Sequence, residues 1–203
     1  MLANYSPEKI LKTTYETKMI SSGDNYPTLK ISGTNLQYLL VMLHLGIESN
    51  AIKTKLNWTS EEFEKQMHAL ELEGLLNKTE GSYYPTCMVI TANEGEKLYN
   101  LCEPLIKPTL NIIEKYSNQI PVFTAVDLSI LNEIANTISE DLILLCKENE
   151  KPLKEYFASS RYSKEITYEE FFIWWYHFFY TKITEELIKQ GIISISTQEN
   201  QNI

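Results

Sequence analysis

The hydrophobic pattern in the first half of the chain changes its period at Gly74, and this change limits the folds that the chain can adopt. Before Gly74, apolar residues recur at helical spacing in NLQYLLVMLHLG (35–46) and again in the shorter ESNAIKTKL (48–56). After Gly74, LLNKT (75–79) and TCMVIT (86–91) have the composition of strands, separated by EGSYY as a turn. The sequence therefore predicts helices followed by a β-hairpin.

A third helix is predicted between the tight connection Asn57-Trp58 and Gly74. Thr59 is followed three residues later by Glu62, which is the offset of a capping box, so we expect Thr59 to cap this helix. The inward face of the helix is predicted to consist of Phe63, Met67 and Leu70.

Two more elements flank this region. TLKIS (28–32) alternates like a short strand, and a long helix is predicted to open at Ala92-Asn93-Glu94. Pro104 and Pro108 fall inside the long helix, so we expect a kink or a break there, because proline lacks the amide hydrogen that the helix requires.

The order helix, short helix, turn, longer helix, hairpin and helix is that of a winged helix-turn-helix. In particular, LELEGLL (70–76) before the hairpin and VITANEG (89–95) after it resemble winged-helix regulators of the MarR and PadR type. The resemblance covers about residues 28–116 and implies a DNA-binding transcriptional regulator that acts as a homodimer. The frequent Ile, Asn and Lys residues are typical of an AT-rich bacterial coding sequence.

The resemblance also implies which residues would contact DNA. In such regulators the N-terminal residues of the third helix enter the major groove and the wing contacts phosphates. The corresponding residues here are Lys53, Lys55, Asn57, Thr59, Ser60, Lys65, Gln66 and Lys78.

The charge of this region opposes DNA binding. Residues 28–116 hold eight lysines and eleven glutamates, and Glu61, Glu62 and Glu64 stand at the start of the third helix. Carboxylates at a helix N-terminus also have a purely structural explanation, since they interact favourably with the helix dipole. The alternative is therefore a winged-helix protein-interaction module that does not bind DNA, because a fold alone does not fix function.

The sequence divides the chain into three consecutive parts: an N-terminal helical arm (1–27), a winged-helix domain (28–118) and an all-α C-terminal domain for dimerisation or ligand sensing (119–203). In the arm, Ser6 is expected to cap a helix that begins at Pro7. In the C-terminal domain, one helix is predicted over 123–147, and a loop or short helix follows Lys151-Pro152. A last, long helix is predicted from a cap at Thr167 to a stop at Gly191. The fold class is thus mainly α.

The last of these helices contains FFIWWYHFFY, in which His177 is the single residue that is neither aromatic nor aliphatic. The block is about half the length that would span a bilayer, so a membrane anchor is excluded. A helix that is apolar all round is normally buried on most sides, which predicts a core and a dimer interface. The alternative is a pocket for a small apolar effector, lined by Trp174, Trp175, Tyr176, His177 and Tyr180.

No catalytic motif accompanies His177, and we expect a protein that is not an enzyme and uses no cofactor or metal. The three cysteines, Cys87, Cys102 and Cys146, are odd in number and widely spaced, which predicts reduced thiols in a cytoplasmic protein. The net charge of −9 repels nucleic acid at long range, so any DNA contact requires a local patch.

Overall fold

The computed structural model describes residues 6–17, 27–117 and 128–192 of the 203-residue chain. These residues are mainly helical, with one small antiparallel hairpin of two strands. Among them, no helix combines the length and apolar character needed to cross a membrane. The helices are α1 (Pro7–Lys12), α2 (Asn35–His44), α3 (Ser49–Leu56), α4 (Ser60–Leu72), α5 (Ala92–Ser117), α6 (Leu128–Glu148), α7 (Lys151–Ser159), α8 (Tyr162–Glu165) and α9 (Tyr168–Lys189), and the strands are β1 (Leu76–Thr79) and β2 (Ser82–Pro85).

The chain forms two compact units that are discontinuous in sequence, unlike the three consecutive parts expected from the sequence. The first unit comprises Met1–Ile90 together with Phe157–Phe171. The second unit comprises Thr91–Tyr156 together with Phe172–Ile203. A short segment of the C-terminal half therefore packs with the N-terminal half.

The core of the first unit is built around α2, in which nearly every residue is buried. Helix α1 also contributes, because Ile10 is fully buried and α1 contacts α2 and α3. Each fully buried aliphatic side chain of this kind contributes about 1.5–3 kcal/mol of transfer free energy. The core residues with no more than 1% exposure include Ile10, Leu39, Met42, Ile52, Met67 and Leu70.

The connection between α3 and α4 confirms the prediction for Asn57. This residue adopts the left-handed conformation (φ +56°), and the Trp58 amide donates to the Lys53 carbonyl at 2.9 Å, which closes the end of α3. Thr59 then caps α4 as predicted, because its hydroxyl accepts from the Glu62 amide while the Glu62 carboxylate accepts from the Thr59 amide. A local motif thus fixes the start of α4.

The second predicted strand is wrong, and the hairpin is shorter than expected. Glu80 (φ +51°) and Gly81 (φ +79°) form a two-residue turn, so the strand that pairs with β1 begins at once, at Ser82. TCMVIT (86–91) is irregular in the structure, and the Thr86 amide donates to the Leu75 carbonyl at 3.0 Å. The predicted turn EGSYY was thus too long, because only Glu80 and Gly81 form the turn and the next three residues belong to β2.

The strand predicted over 28–32 is also wrong. The Thr28 amide donates to the Glu73 carboxylate at 2.8 Å, and the Thr34 amide donates to the Ile31 carbonyl at 3.2 Å, which makes a turn. The backbone hydrogen bonds of this segment are thus made locally or to a side chain, so no strand partner is required.

Helix α5 begins as predicted, because Thr91 and Glu94 form reciprocal capping hydrogen bonds. It then continues through Pro104 and Pro108 up to Ser117, so the predicted break does not occur. The two prolines are four residues apart and deprive the carbonyls of Asn100 and Pro104 of their donors. Since Asn100 and Pro104 are exposed, water can satisfy these carbonyls and the helix can persist.

In the second unit, α5 packs against α6 and α9 through aromatic and polar contacts. The Tyr116 hydroxyl donates to Asp141 Oδ2 at 2.9 Å, and the rings of Tyr99 and Phe178 lie 4.2 Å apart. On α9 the buried residues of this unit follow each other at every fourth position: Trp175, Phe179, Ile183 and Leu187.

The remaining C-terminal predictions hold where the structure describes them. Helix α6 ends at Glu148 and α7 begins at Lys151, as the Lys151-Pro152 pair indicated. Thr167 caps α9 with Glu170, and Gly191 (φ +70°) follows its end. The predicted start of α6 before Leu128, and the predicted strand-like IISIS from residue 193 onward, lie outside the described residues.

Candidate nucleic-acid interface

Helix α4 turns one face inward and leaves the opposite face open to solvent within the first unit. Phe63, Met67 and Leu70 are buried, as predicted. The exposed residues of the helix are Ser60, Glu61, Glu62, Glu64, Lys65, His68 and Leu72. The face that a groove-binding helix would present is therefore available in this unit.

Two of the residues predicted to contact DNA, Thr59 and Ser60, already have hydrogen-bond partners at the start of α4. The Thr59 hydroxyl accepts from the Glu62 amide at 3.1 Å and lies 2.9 Å from Glu62 Oε2. The hydrogen bonds from Thr59 lower the pKa of Glu62. Ser60, the first helical residue, accepts from Lys53 Nζ at 3.3 Å. The structure thus brings Lys53 and Ser60 together at the start of α4.

The other lysine of α3 has a different partner. Lys55 Nζ forms an ion pair with Glu8 Oε1 at the surface of the first unit. The hydrogen bond with Lys55 lowers the pKa of Glu8 to about 2. The positive charge of Lys55 is consequently balanced by a carboxylate from α1, which lowers its value for a phosphate contact.

The remaining predicted contacts lie at separate places on the same unit. Lys65 is exposed on the outer face of α4, Gln66 is half-buried, and Asn57 is exposed in the turn. Lys78 is exposed on β1, and its Nζ lies 4.9 Å from the ring centre of Tyr83, its cross-strand partner. Lys53, Lys65 and Lys78 therefore keep charge that an anionic ligand could use.

The carboxylates reduce this positive potential. Helix α4 carries four glutamates and one lysine, a net charge of −3, and Glu80 occupies the tip of the hairpin. Glu62 is bound in the capping box, but Glu61 and Glu64 are exposed beside Lys65. A duplex approaching α4 would meet charges of both signs.

The residues predicted to line an effector pocket are spread around α9. Trp175 is buried, Trp174 and Tyr176 are half-buried, and His177 and Tyr180 are exposed. Consecutive helical residues point in different directions, so these five side chains do not face one common space. Trp175 Nε1 is buried with no hydrogen-bond partner among the described residues, although its indole lies close enough to Cys102 to lower that thiol's otherwise raised pKa.

A polar cluster that the sequence did not reveal lies in the first unit. His44 Nδ1, from the last residue of α2, is 2.7 Å from Glu165 Oε2 of α8, and both side chains are at most 1% exposed. The protonation of the pair decides which atom donates, and an ionised Glu165 would accept from Nδ1. The two residues are 121 positions apart, so nothing local in the sequence pairs them. The available signals were a histidine inside an apolar helix and the chain's single arginine, Arg161.

Arg161 extends this cluster towards the hairpin. Its Nε lies 3.3 Å from Glu165 Oε1, an ion-pair contact rather than an aligned hydrogen bond. The guanidinium carbon stands 4.8 Å from the ring centre of Tyr84 on β2. The adjacent Tyr162 is fully buried, and its hydroxyl donates to the Val89 carbonyl at 2.7 Å.

The cysteines do not have the properties of nucleophiles. Burial raises the pKa of Cys87 to about 11 and the pKa values of Cys102 and Cys146 to about 12. All three are free thiols, and at neutral pH they stay protonated. Within the described residues, no group of three His, Cys, Asp or Glu side chains is arranged to hold a metal ion.

The comparisons with known proteins identify no relative, since no protein-family model, no curated protein and no solved structure matches the chain. A functional proposal therefore has to rest on the arrangement of the residues themselves.

Proposed function

We propose that the chain is a DNA-binding transcriptional regulator, in which α2, α3, α4 and the hairpin act as a winged helix-turn-helix. The observation that carries the proposal is the start of α4, where a left-handed Asn57 ends α3 and leaves Ser60 exposed beside Lys53. This arrangement resembles a recognition helix whose N-terminal end is exposed to solvent.

The electrostatics of this surface define the kind of binding to expect. The backbone amides and the dipole at the start of a helix favour an anion, and Lys53, Lys65 and Lys78 are exposed or half-exposed on the same unit. About three lysine–phosphate contacts would give a salt slope of about −2.7, since each contributes about −0.9. Because Glu61 and Glu64 oppose this attraction, we expect weak binding at physiological salt.

The homodimer implied by the resemblance remains part of the proposal. In the second unit, Ile173 and Tyr180 of α9 are more than half exposed, and a second copy that covered them would remove apolar surface from water. A small apolar effector, a cytoplasmic location and the absence of catalysis stay predictions.

Binding of genomic DNA fragments, titrated with salt, tests the proposal. We expect binding at low salt that Lys65→Ala and Lys53→Ala both weaken, each with a salt slope reduced by about 1. The matched control is Lys189→Ala, a similarly exposed lysine of α9 in the second unit. If no fragment binds at low salt, or the α3 and α4 variants behave like the control, the regulator proposal is wrong.

A second function is favoured by one observation, the composition of the exposed face of α4. Glu61 and Glu64 are exposed there, and Leu72, at 75% exposure, is the most exposed large hydrophobic residue of the described chain. An acidic face with an apolar end suits a basic protein segment better than a phosphate backbone. On this alternative the chain is a winged-helix protein-interaction module that does not bind DNA.

One pair of substitutions separates the two functions. Glu61→Gln and Glu64→Gln remove repulsion from DNA, so a regulator should bind fragments more tightly. For an interaction module the same changes leave DNA unbound and weaken the capture of a basic peptide, an association that Leu72→Ser would also weaken. The matched control is Glu155→Gln, an exposed glutamate of α7 in the second unit.

A further inference from the structure

Residues 157–171, which we call the return segment, belong to the first unit although the residues on both sides of them in sequence belong to the second. The segment contains the end of α7, all of α8 and the start of α9. The chain thus enters the first unit for these fifteen residues only, and the side chains of the return segment make the contacts that hold it there.

The return segment is held to α2 by a buried polar contact. The His44–Glu165 contact of 2.7 Å is buried from solvent, and Arg161 approaches the second carboxylate oxygen of Glu165. A buried carboxylate is stable in the folded state only while such partners are present. The ring of Tyr162 lies 5.2 Å from that of His44 and shields the contact on one side.

The same segment is held to the hairpin and to the residues that follow it. Arg161 lies against Tyr84 of β2, and the Tyr162 hydroxyl donates to the Val89 carbonyl. Because residues 86–91 form no strand, the contact at Val89 satisfies a backbone group that no ladder satisfies. The hairpin consists of only two strands of four residues, which are marginal without such support.

Aromatic packing holds the return segment together internally. The rings of Phe157, Tyr162 and Tyr168 lie 5.1–6.4 Å from the ring of Phe171, which is fully buried together with Tyr162. Aromatic side chains bury a large area each, so these contacts stabilise the fold of the segment that carries Arg161, Tyr162 and Glu165.

We propose that the return segment is a latch on the hairpin. When the segment is docked, it fixes β2 and residues 86–90, and when it detaches, the hairpin loses its order while α4 keeps its own core contacts. The buried His44–Glu165 contact is the element that closes the latch. If the hairpin is the wing of a DNA-binding unit, detachment lowers DNA affinity, and this last consequence rests on the proposed function.

Hydrogen exchange of the full chain tests the latch without DNA. In Glu165→Ala the charge partner of His44 and Arg161 is lost, so we expect the amides of residues 82–90 to exchange roughly 100-fold faster. The buried middle of α4, around Phe63 and Met67, should change by less than about threefold. The matched control is Glu169→Ala, an exposed glutamate at the start of α9, which should leave both regions unchanged.

A milder variant keeps the test informative if Glu165→Ala does not fold. Tyr162→Phe removes only the hydroxyl that donates to Val89, and we expect about threefold to tenfold faster exchange confined to residues 82–90. If exchange in α4 rises as much as exchange in the hairpin for either variant, the segment is an ordinary part of the core and the latch is wrong. The same holds if the hairpin does not respond to either variant.

The latch and the regulator proposal can fail separately. Exchange at residues 82–90 reports the latch whether or not DNA binds. DNA fragments bound at low salt should slow exchange at residues 82–90, because a ligand that binds the docked state stabilises that state. Exchange at these residues that bound DNA leaves unchanged would keep the latch and overturn its link to DNA.

Discussion

Two contacts between a basic and an acidic side chain in the described part of the first unit differ in almost every physical respect. Lys55 and Glu8 meet at the surface, where both side chains are more than a third exposed, whereas His44 and Glu165 meet in the core. The exposed pair contributes little to the stability of the fold, because water can bind each of its charged groups when the pair separates. The buried pair has no water to replace a missing partner, so each of its members depends on the other. The comparison shows that the position of a charge decides its effect on stability, more than the pairing itself.

The largest effect that separates the two pairs is expected from Glu165→Ala. Removing this carboxylate leaves His44 and Arg161 without this acidic partner, and we expect the free energy of local opening of residues 82–90 to fall by about 3 kcal/mol. Hydrogen exchange of these amides, with Glu169→Ala as the control on the same stretch of chain, measures the loss. A change as small as that of the control would show that the buried contact is dispensable.

The next effect concerns a polar contact of α4 that is exposed but local. Thr59→Ala removes the capping hydroxyl that bonds Glu62, and we expect a loss of about 1 kcal/mol in the free energy of unfolding. Chemical denaturation of the full chain measures it. Thr54→Ala, at an exposed position inside α3, is the control and should change stability less.

A smaller effect is expected from pH on the surface pair. Lys55 lowers the pKa of Glu8 to about 2 in the folded protein, below its usual value of 4.5. A lowered pKa stabilises the fold above the unfolded value, and this contribution is lost as the pH falls from about 4.5 to about 2. Because Glu8 is exposed, the amplitude should be small, and Lys55→Ala should reduce it, leaving the part that the hydrogen bonds with the Ser6 side chain and the Glu8 backbone supply. An unchanged acid profile in that variant would contradict the assignment of the pKa shift to Lys55.

The smallest effect is that of salt. At 1 M salt the Debye length falls to about 3 Å, so the surface pair should lose its remaining contribution while the buried pair keeps its own. A double-mutant cycle on each pair, at low and at high salt, measures this. Equal salt sensitivity of the two coupling energies would mean that water reaches His44 and Glu165.

The parts of the fold that follow from short-range rules could be predicted from the sequence. The cap at Thr59, the tight connection at Asn57-Trp58 and the inward face of α4 each depend on residues within one or two helical turns. Helix α9 was bounded correctly because Thr167, Glu170 and Gly191 are local signals.

Predictions that required a choice between competing local signals were less successful. TCMVIT has a composition that favours a strand, but Glu80-Gly81 permits the tighter turn that makes SYYP the partner of β1. A kink or a break was predicted at Pro104 and Pro108, and of these the break does not occur, because the carbonyls that lose their donors are on exposed residues.

The contact between His44 and Glu165 could not be predicted from the sequence, for a different reason. His44 lies inside an apolar helix, and the carboxylate that it contacts is 121 residues away. No periodicity or motif connects such positions, since their proximity depends on how the return segment packs. In the candidate interface, the ion pair of Lys55 with Glu8 was unpredictable on the same ground.

The position of the return segment in the sequence also determines when the first unit can complete its fold during synthesis. Ile90 completes the N-terminal part of the first unit, but Glu165 is synthesised 75 residues later. At a translation rate of about 5–20 residues per second, this delay is roughly 4–15 s. During that interval the nascent chain holds His44 at an apolar site without its carboxylate. The first unit therefore reaches its final core only when the second unit is already largely made, and a chain truncated before residue 165 cannot complete it.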